Sequence, residues 1–296
     1  MTTSPQRDQW AAWIAERRHG GDPELLRQHL EALAPIRDKV IANAALAPGQ
    51  TVLDVGCGDG LIGFAAAEAV GPAGTVIFSD ISPDLLDRCR ELAAERGVLE
   101  CCRFVQAPAS QLAGIDDDAV DAVTLRSVLI YESDKAAAFS EFHRVLRPGG
   151  RLSLFEPINR YSNFFGSFDL EPVADLMARV RAVFEAIQPP HSNPMSNFDE
   201  RDLVSFAETT GFDEIHLELT LDVRQAPPRP WAAVLNTAAN PLVPTLAEAM
   251  RQALAAEETE RLSAHLQPLV EQGHGKQRGA ICYLSALRPH DIERGH

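Results

Sequence analysis

The sequence predicts an α/β fold, with a mostly parallel seven-stranded sheet, helices on both faces, N-terminal helices and helical insertions. Two observations support this prediction. Short apolar runs of β type alternate with helical segments over residues 46–156, and this alternation is typical of βαβ units. The first run, 51–55, breaks into glycines that lead directly into a small-residue helix. A chain of 296 residues is long enough for one such domain with additions.

Residues 1–45, before the first strand, are predicted to be helical. Apolar side chains recur there at helical spacing, and such stripes are typical of core contacts. The residues that form the two stripes are Trp10, Trp13, Ile14 and Arg17, then Leu26, His29, Leu30 and Leu33. The segment 17–23 contains two glycines and a proline, which predicts a break between two helices.

Residues 52–60 read Val-Leu-Asp-Val-Gly-Cys-Gly-Asp-Gly and predict a ligand-binding turn. Glycine at alternate positions lets the backbone turn sharply and lets a ligand lie against bare main chain. The helix that starts at Leu61 directs free N–H groups towards that turn. The dinucleotide fingerprint does not fit, because Leu61 stands where its third glycine belongs, and a phosphate loop would need a lysine. The alternative is a tight strand-to-helix turn without a ligand.

The pattern Asp54-x-Gly56-x-Gly58-x-Gly60 resembles motif I of the class I S-adenosylmethionine (SAM) methyltransferases. In that family the turn faces the amino-acid end of the cofactor, and a carboxylate suits the ammonium group there. The resemblance implies that Asp54, Gly56, Cys57 and Gly58 bind SAM and its demethylated product, S-adenosylhomocysteine (SAH).

The second predicted strand, 75–81, contains an acid near its end. A carboxylate at this position, Asp80, can accept hydrogen bonds from both ribose hydroxyls. Ile81 is then placed to cover one face of the adenine. Ser82 and Pro83 predict the start of the next helix, so the alternative for Asp80 is a simple helix-capping acid.

The third predicted strand, 102–106, leads to a departure from the family. Many members carry an aspartate after this strand that binds the adenine amino group, whereas this chain has Pro108. Adenine recognition is therefore expected to rest on main chain at Pro108 and Ala109, or on Ser110.

The fourth predicted strand, 119–125, is followed by Arg126, which the resemblance places on the cofactor rim. Ligands of parallel sheets bind beyond the carboxyl ends of the strands, where the strand order reverses. The residues expected on this one rim are Gly56, Asp80, Pro108, Arg126 and Glu156.

The resemblance covers about residues 37–156 and is strongest to the ubiquinone/menaquinone-biosynthesis type of small-molecule methyltransferase. It implies a Rossmann-like core over 46–156 and an N-terminal helical lid over 1–45. It also implies that the last two strands, within 213–296, are antiparallel. It does not identify the methyl acceptor.

Residues 157–212 exceed what a minimal methyltransferase needs. They include an aromatic and amide-rich stretch at 158–166, a predicted helix at 172–187, a proline-rich loop at 188–195 and a helix at 199–210. Inserted aromatic segments favour an apolar or aromatic acceptor. The alternative is an ordinary packed insert.

A second insertion, 225–279, separates the last two predicted strands. We expect one long helix in it, from about Leu242 to Glu271, with apolar residues along one face. The members of that stripe are Leu246, Met250, Leu254, Leu262, Leu266 and Leu269. The insertion is interpreted either as a lid over the acceptor or as a homodimer surface.

Composition limits the partners. A formal net charge of −15 disfavours binding to nucleic acid, which requires clustered Lys and Arg. The sequence has no run of 18 apolar residues and no basic-apolar leader, so no membrane span and a cytoplasmic location are expected. The five cysteines contain no Cys-x-x-Cys pair. We expect free thiols, no metal site, and no cysteine set of the kind that arsenite methyltransferases need.

The sequence therefore predicts SAM-dependent methylation of a small-molecule acceptor, at oxygen, in a biosynthetic pathway. A neutral hydroxyl acceptor needs a base, and the candidate catalytic residues are Tyr131, after the fourth strand, and His191, in the proline-rich loop. Two alternatives remain. One is methylation of a peptide or protein carboxylate or amine, and the other is a SAM-fold protein that does not transfer methyl groups.

Overall fold

The computed structural model describes residues 7–162 and 168–290. Part of the predicted aromatic stretch, residues 163–166, lies outside the described residues. The strands are β1 Thr51–Val55, β2 Thr75–Asp80, β3 Cys102–Gln106, β4 Val120–Arg126, β5 Leu146–Pro157, β6 Asp213–Gln225 and β7 Lys276–Leu287. The helices are α1 Gln9–Ala12, α2 Pro23–Ala44, α3 Leu61–Val70, α4 Pro83–Glu95, α5 Lys135–Val145, α6 Ala174–Ile187, α7 Glu200–Thr210, α8 Trp231–Asn236, α9 Leu246–Ala253 and α10 Ala256–Glu271. A π-helical segment, Trp13–Arg17, follows α1, and the predicted break before α2 is present.

The seven strands form one sheet in the order β3-β2-β1-β4-β5-β7-β6. Strands β1 to β5 pair in parallel, whereas β7 runs antiparallel to β5. The predicted fold class is confirmed. The strand order reverses at β1, which pairs with β2 on one side and β4 on the other. The carboxyl ends of these strands therefore form the crevice in which such sheets bind ligands.

The central strands are apolar along their whole length because helices cover both faces of a parallel sheet. Nearly every residue of β1, β2 and β4 is buried. Helix α3 packs close to the sheet through its small residues, since a Cβ at Gly63 would lie 2.3 Å from the Phe78 ring. This close packing fixes the position of the turn that precedes α3.

The chain divides into two compact units, which we describe separately. The core unit consists of the described residues within Ala32–Ile158, Phe198–Thr220 and Ile281–His296. The insert unit consists of those within Met1–Glu31, Asn159–Asn197 and Leu221–Ala280. The division of the chain into 1–45, 46–156, 157–212 and 213–296 stays a prediction about its organisation.

Helices α6, α8, α9 and α10 supply the apolar cluster of the insert unit. Its buried members are Val173, Leu176, Met177, Val180, Trp231, Leu246, Ala249, Met250, Leu254, Leu262, Leu266 and Val270. The N-terminal segment belongs to the same unit. The Trp13 indole Nε1 donates a buried hydrogen bond of 2.8 Å to the Ala238 carbonyl, and Arg17 pairs with Glu248 at 2.5 Å.

The prediction of one helix from Leu242 to Glu271 was wrong, because two helices occupy this range. Leu254 is extended, with φ −127° and ψ 150°, and ends α9. The Ala255 N–H donates to Glu258 Oε2 at 2.8 Å, which caps the start of α10. The local capping bond thus interrupts a continuous apolar pattern. Most of the predicted stripe is nevertheless buried within the insert unit.

All five cysteines are free, and Cys57, Cys89 and Cys282 are buried. Among the described residues, no group of three or more His, Cys, Asp or Glu side chains is arranged to hold a metal ion. Within the same ranges, no helix combines the length and the apolar character that crossing a membrane requires.

Candidate cofactor and acceptor site

The β1 end of the core unit holds a buried carboxylate beneath the glycine turn. Asp54 is 1% exposed, and its Oδ1 accepts a hydrogen bond of 3.1 Å from the Thr124 hydroxyl. Its Oδ2 is buried and makes no well-formed hydrogen bond among the described residues, although the Gly63 N–H at the start of α3 lies close enough to favour the ionised carboxylate. Burial raises the pKa of Asp54 to about 7, against the opposing effect of the Thr124 bond. A buried carboxylate oxygen without a partner is costly unless a donor reaches it.

The turn itself requires glycine for two reasons. Gly56, Gly58 and Gly60 all have positive φ, at +59°, +55° and +85°. A Cβ at Gly56 would lie 2.5 Å from Val128 Cγ2, so the two chain segments leave no room for a side chain. A Cβ at Gly58 would meet nothing within 4 Å, so the main chain there faces open space. The predicted cofactor fits this arrangement, because the amino-acid end of SAM carries an ammonium donor for the Asp54 oxygen.

Asp80 ties the glycine turn to the end of β2. Its Oδ2 accepts from the Gly58 N–H at 2.9 Å, and its Oδ1 accepts from the Ser82 N–H at 2.9 Å. Helix α4 is capped by Ser82, whose hydroxyl accepts from the Leu85 N–H at 3.1 Å. Asp80 is therefore not the side-chain cap of α4. A carboxylate oxygen can accept more than one hydrogen bond, so the predicted ribose contacts are compatible with this geometry.

The adenine side of the predicted site follows the ends of β2 and β3, where Asp80 is the register partner of Gln106. Ile81 is 44% exposed, and its contact with the adenine stays a prediction. Pro108 is exposed and Ala109 is buried. Sequence reasoning missed Gln106, whose amide donates to the Ile81 carbonyl at 3.1 Å. The signal was its position at the end of β3, next to the strand that carries Asp80.

The β4 end adds a cation and a second buried acid. Arg126 is half-buried, and its positive charge favours ionisation of both Asp54 and Glu156. Glu156, at the end of β5, is fully buried. Burial raises the pKa of Glu156 to about 7, although hydrogen bonds from the backbone oppose the shift. Sequence reasoning placed Glu156 on the rim but gave it no role.

The two candidate bases lie in different units. Tyr131 belongs to the core unit, is half-buried, and follows β4 in a turn in which its N–H donates to the Val128 carbonyl at 2.9 Å. His191 belongs to the insert unit and is exposed in its loop. Each stays a prediction.

Sequence reasoning also missed Lys135, the first residue of α5. Its side chain is buried, its ammonium donates to the Glu132 carbonyl at 2.8 Å, and it lies 4.6 Å from the Phe198 ring centroid. Burial lowers the pKa of Lys135 to about 8. Lysine is rarely buried, but nothing in the sequence distinguishes this lysine from an exposed one at the start of a helix.

Comparison with known proteins supports the motif. A family model described as a methyltransferase domain matches residues 52–150. Residues 52–150 are a class I SAM-dependent methyltransferase domain. The recognition of this family from the glycine turn is confirmed, and SAM is the cofactor of the methyltransferase domain.

Relatives of known name match less than half of this chain. A ubiquinone/menaquinone biosynthesis C-methyltransferase of Marinomonas is 35% identical over 116 residues, which are 39% of this chain and 46% of that protein. An arsenite methyltransferase of Halobacterium salinarum is 38% identical over 117 residues, which are 40% of this chain and 29% of that protein. The chain thus spans less than half the length of either relative.

A solved structure, the YcgJ protein from Bacillus subtilis, shares the fold. Its TM-score is 0.54 at 18% sequence identity, and the match covers 86% of this chain and 98% of that protein. At this identity the likeness shows the fold alone. The methyltransferase domain is therefore established by its sequence, and the acceptor is left to the chemistry of the site.

Proposed function

We propose that this protein transfers the methyl group of SAM to an oxygen atom of a small-molecule acceptor. The observation that carries the SAM part of the proposal is the buried Asp54 carboxylate, one of whose oxygens lacks a well-formed hydrogen bond, beneath a glycine turn that is open at Gly58. This arrangement suits an ammonium donor and a ligand that lies against main chain. Bound SAM supplies a sulfonium-activated methyl group for in-line displacement.

The residues of the methyltransferase domain bind and orient the reactants. Asp54 holds the ammonium end, and Asp80 holds the ribose through charge-assisted hydrogen bonds. Ile81 covers the adenine, and main chain at Pro108 and Ala109 contacts its edge. Because the sulfonium already activates the methyl group, the contribution of the protein is positioning and exclusion of water.

A neutral hydroxyl acceptor also requires a group that removes its proton. His191 and Tyr131 are the proposed bases, and histidine has the better intrinsic pKa for this role. We expect His191→Ala or Tyr131→Phe to lower turnover by roughly 100-fold while SAH affinity stays unchanged. Steady-state kinetics together with SAH calorimetry test this. If both variants turn over at the wild-type rate, neither residue is the base, and an acceptor that arrives ionised is favoured.

A carbon acceptor is the second candidate. It is favoured by the 35% identity with the C-methyltransferase of Marinomonas, although that match covers 46% of the relative. The two candidates differ in the bond that is formed, O–CH3 or C–CH3.

The deciding experiment combines cofactor binding with product analysis. Calorimetry with SAH should show binding to one site per chain, and absence of binding would overturn the whole proposal. Incubation with 13C-methyl SAM and panels of phenols, carboxylic acids and quinols should give a labelled O-methyl product. The carbon chemical shift of the label distinguishes oxygen from carbon, so a C-methyl product would overturn the oxygen assignment alone.

A further inference from the structure

The segment that follows β4 is held by one buried carboxylate. Glu156 Oε1 accepts hydrogen bonds from the N–H groups of Val128, at 2.8 Å, and Leu129, at 2.9 Å. Its Oε2 accepts from the Ile130 N–H at 3.3 Å. Three consecutive backbone donors thus converge on one fully buried side chain. A carboxylate bound in this way fixes three residues of backbone at once.

The same segment starts in a conformation that non-glycine residues avoid. Ser127 has a φ of +56°, and its N–H donates to the Phe155 carbonyl at 2.9 Å. Such a residue persists only where the surroundings enforce it, and strained backbone of this kind is common at functional sites. Glu156, next to Phe155 on β5, supplies the enforcing contacts.

The held segment reaches the cofactor turn through one side chain. Val128 Cγ2 and Cγ1 lie 2.5 Å and 3.2 Å from the position that a Cβ at Gly56 would occupy. The Val128 methyls therefore fill the space above Gly56, inside the core unit. The next turn of the same segment carries Tyr131, whose N–H donates to the Val128 carbonyl. Any shift of Val128 changes both the wall of the glycine turn and the placement of Tyr131.

We propose that Glu156 is a positioning residue for SAM, acting through the Val128–Ile130 backbone to press the Val128 side chain onto the glycine turn. This inference rests on the proposed function, because it takes the turn at Gly56 to be the SAM site. Glu156 touches neither reactant. Its role is to hold Val128, which packs against Gly56 of the turn.

The test compares two buried polar residues of β5. Glu156→Gln keeps the side-chain shape but presents an NH2 group to backbone donors, which loosens the segment. Ser153→Ala is the matched control, since Ser153 is equally buried on the same strand but donates to the Val40 carbonyl at 2.8 Å. Thermal unfolding measures the structural cost of each change, and calorimetry measures SAH affinity.

We expect both variants to unfold at lower temperature, but only E156Q to bind SAH more weakly, by about 10-fold. Val128→Ala, which leaves the carboxylate in place, should weaken SAH binding as well. The double variant should be no weaker than E156Q alone, because the two changes act on one contact. V128A keeps the inference testable if E156Q fails to fold.

The outcomes separate the two hypotheses. Wild-type protein that does not bind SAH would overturn the proposed function and this inference with it. Wild-type binding that is unchanged in E156Q, or in V128A, would overturn this inference alone and leave Glu156 with a purely structural role. Additive losses in the double variant would show that Glu156 does not act through Val128.

Discussion

The glycine turn and the insert unit differ in how far along the chain their stabilising contacts reach. Gly58 and Asp80, which share a hydrogen bond, are 22 residues apart, and Ser82 caps a helix that begins at the next residue. In the insert unit the Trp13–Ala238 hydrogen bond joins residues that are 225 positions apart. Local contacts leave patterns that a sequence displays. A contact between residues so far apart in the chain is visible in the sequence only as an apolar stripe, which does not identify the residue that it packs against.

The comparison predicts that the two regions can be separated by deletion. Residues 226–275 lie between β6 and β7, and replacing them with a short turn should abolish methyl transfer while SAH binding persists. The loss is expected under the prediction that the insertion is a lid over the acceptor, whereas the glycine turn lies in the core unit. If the insertion is a homodimer surface instead, light scattering should show half the mass. A folded variant with unchanged mass and full activity contradicts both readings.

The turn itself should be intolerant of a single added methyl group. Gly56→Ala combines positive φ with a Cβ 2.5 Å from Val128 Cγ2, and we expect SAH binding to be lost. Gly97→Ala is the matched control, because Gly97 also has positive φ, +70°, but a Cβ there meets nothing within 4 Å. The control should lose about 1–2 kcal/mol of stability from backbone strain alone and bind SAH normally. If both variants bound SAH equally well, the contact between an added Cβ at Gly56 and Val128 would not be what limits binding.

The buried acid below the turn should make stability depend on pH. The pKa of Asp54 is raised to about 7 in the folded protein, so between about pH 4 and pH 7 the folded state binds more protons than the unfolded state. The contribution of Asp54 to the free energy of unfolding should therefore fall as pH rises through this window, by at most about 4 kcal/mol. Asp54→Asn should flatten the profile in urea titrations.

Glu156 acts in the same direction, because its pKa is also raised to about 7. The D54N variant should therefore keep part of the slope, and Glu156→Gln should remove more of it. A wild-type profile that runs parallel to that of the D54N, E156Q double variant from pH 4 to pH 7 would mean that both carboxyls have ordinary pKa values.

The insert unit should respond to the loss of one distant hydrogen bond. Trp13→Phe removes the indole donor to the Ala238 carbonyl and keeps an aromatic ring, so we expect a loss of about 1–2 kcal/mol. SAH affinity should not change, because the residues assigned to the cofactor lie in the core unit. Trp10→Phe serves as the control, since Trp10 contacts Trp13 edge-to-face with ring centroids 6.2 Å apart, whereas the bond to the Ala238 carbonyl comes from Trp13. Weaker SAH binding in W13F alone would show that the two units are coupled.

Much of the core unit could be predicted from the sequence, because local rules determine it. The first four strands overlap their predicted ranges, and the glycines of the turn have the positive φ that their residue type allows. Asp80 illustrates the limit. The sequence placed it at the end of β2, but only the fold shows that it accepts from the Gly58 N–H.

The parts that escaped prediction depend on burial and on contacts across the fold. In the sequence, nothing distinguishes Glu156 from the other acidic residues. Its role depends on the pairing of β4 with β5, which places its carboxylate next to three backbone N–H donors. The burial of Lys135 could not be predicted either, because it depends on Phe198, which is distant in the chain. The break between α9 and α10 was missed because the apolar stripe continues through it, while the capping bond to Glu258 is a single local contact.

The discontinuity of the insert unit has a consequence for biosynthesis. The N-terminal segment of the insert unit is synthesised long before the residues that it contacts. Ala238, which accepts the Trp13 hydrogen bond, is added 225 residues after Trp13. At about 5–20 residues per second, that interval is roughly 10–45 s. During this time β1 to β5, which are contiguous in the chain, can pair, and α2 can pack Val40 against Ile62 and Phe155. The core unit can therefore assemble most of its sheet before the insert unit can close the Trp13–Ala238 hydrogen bond.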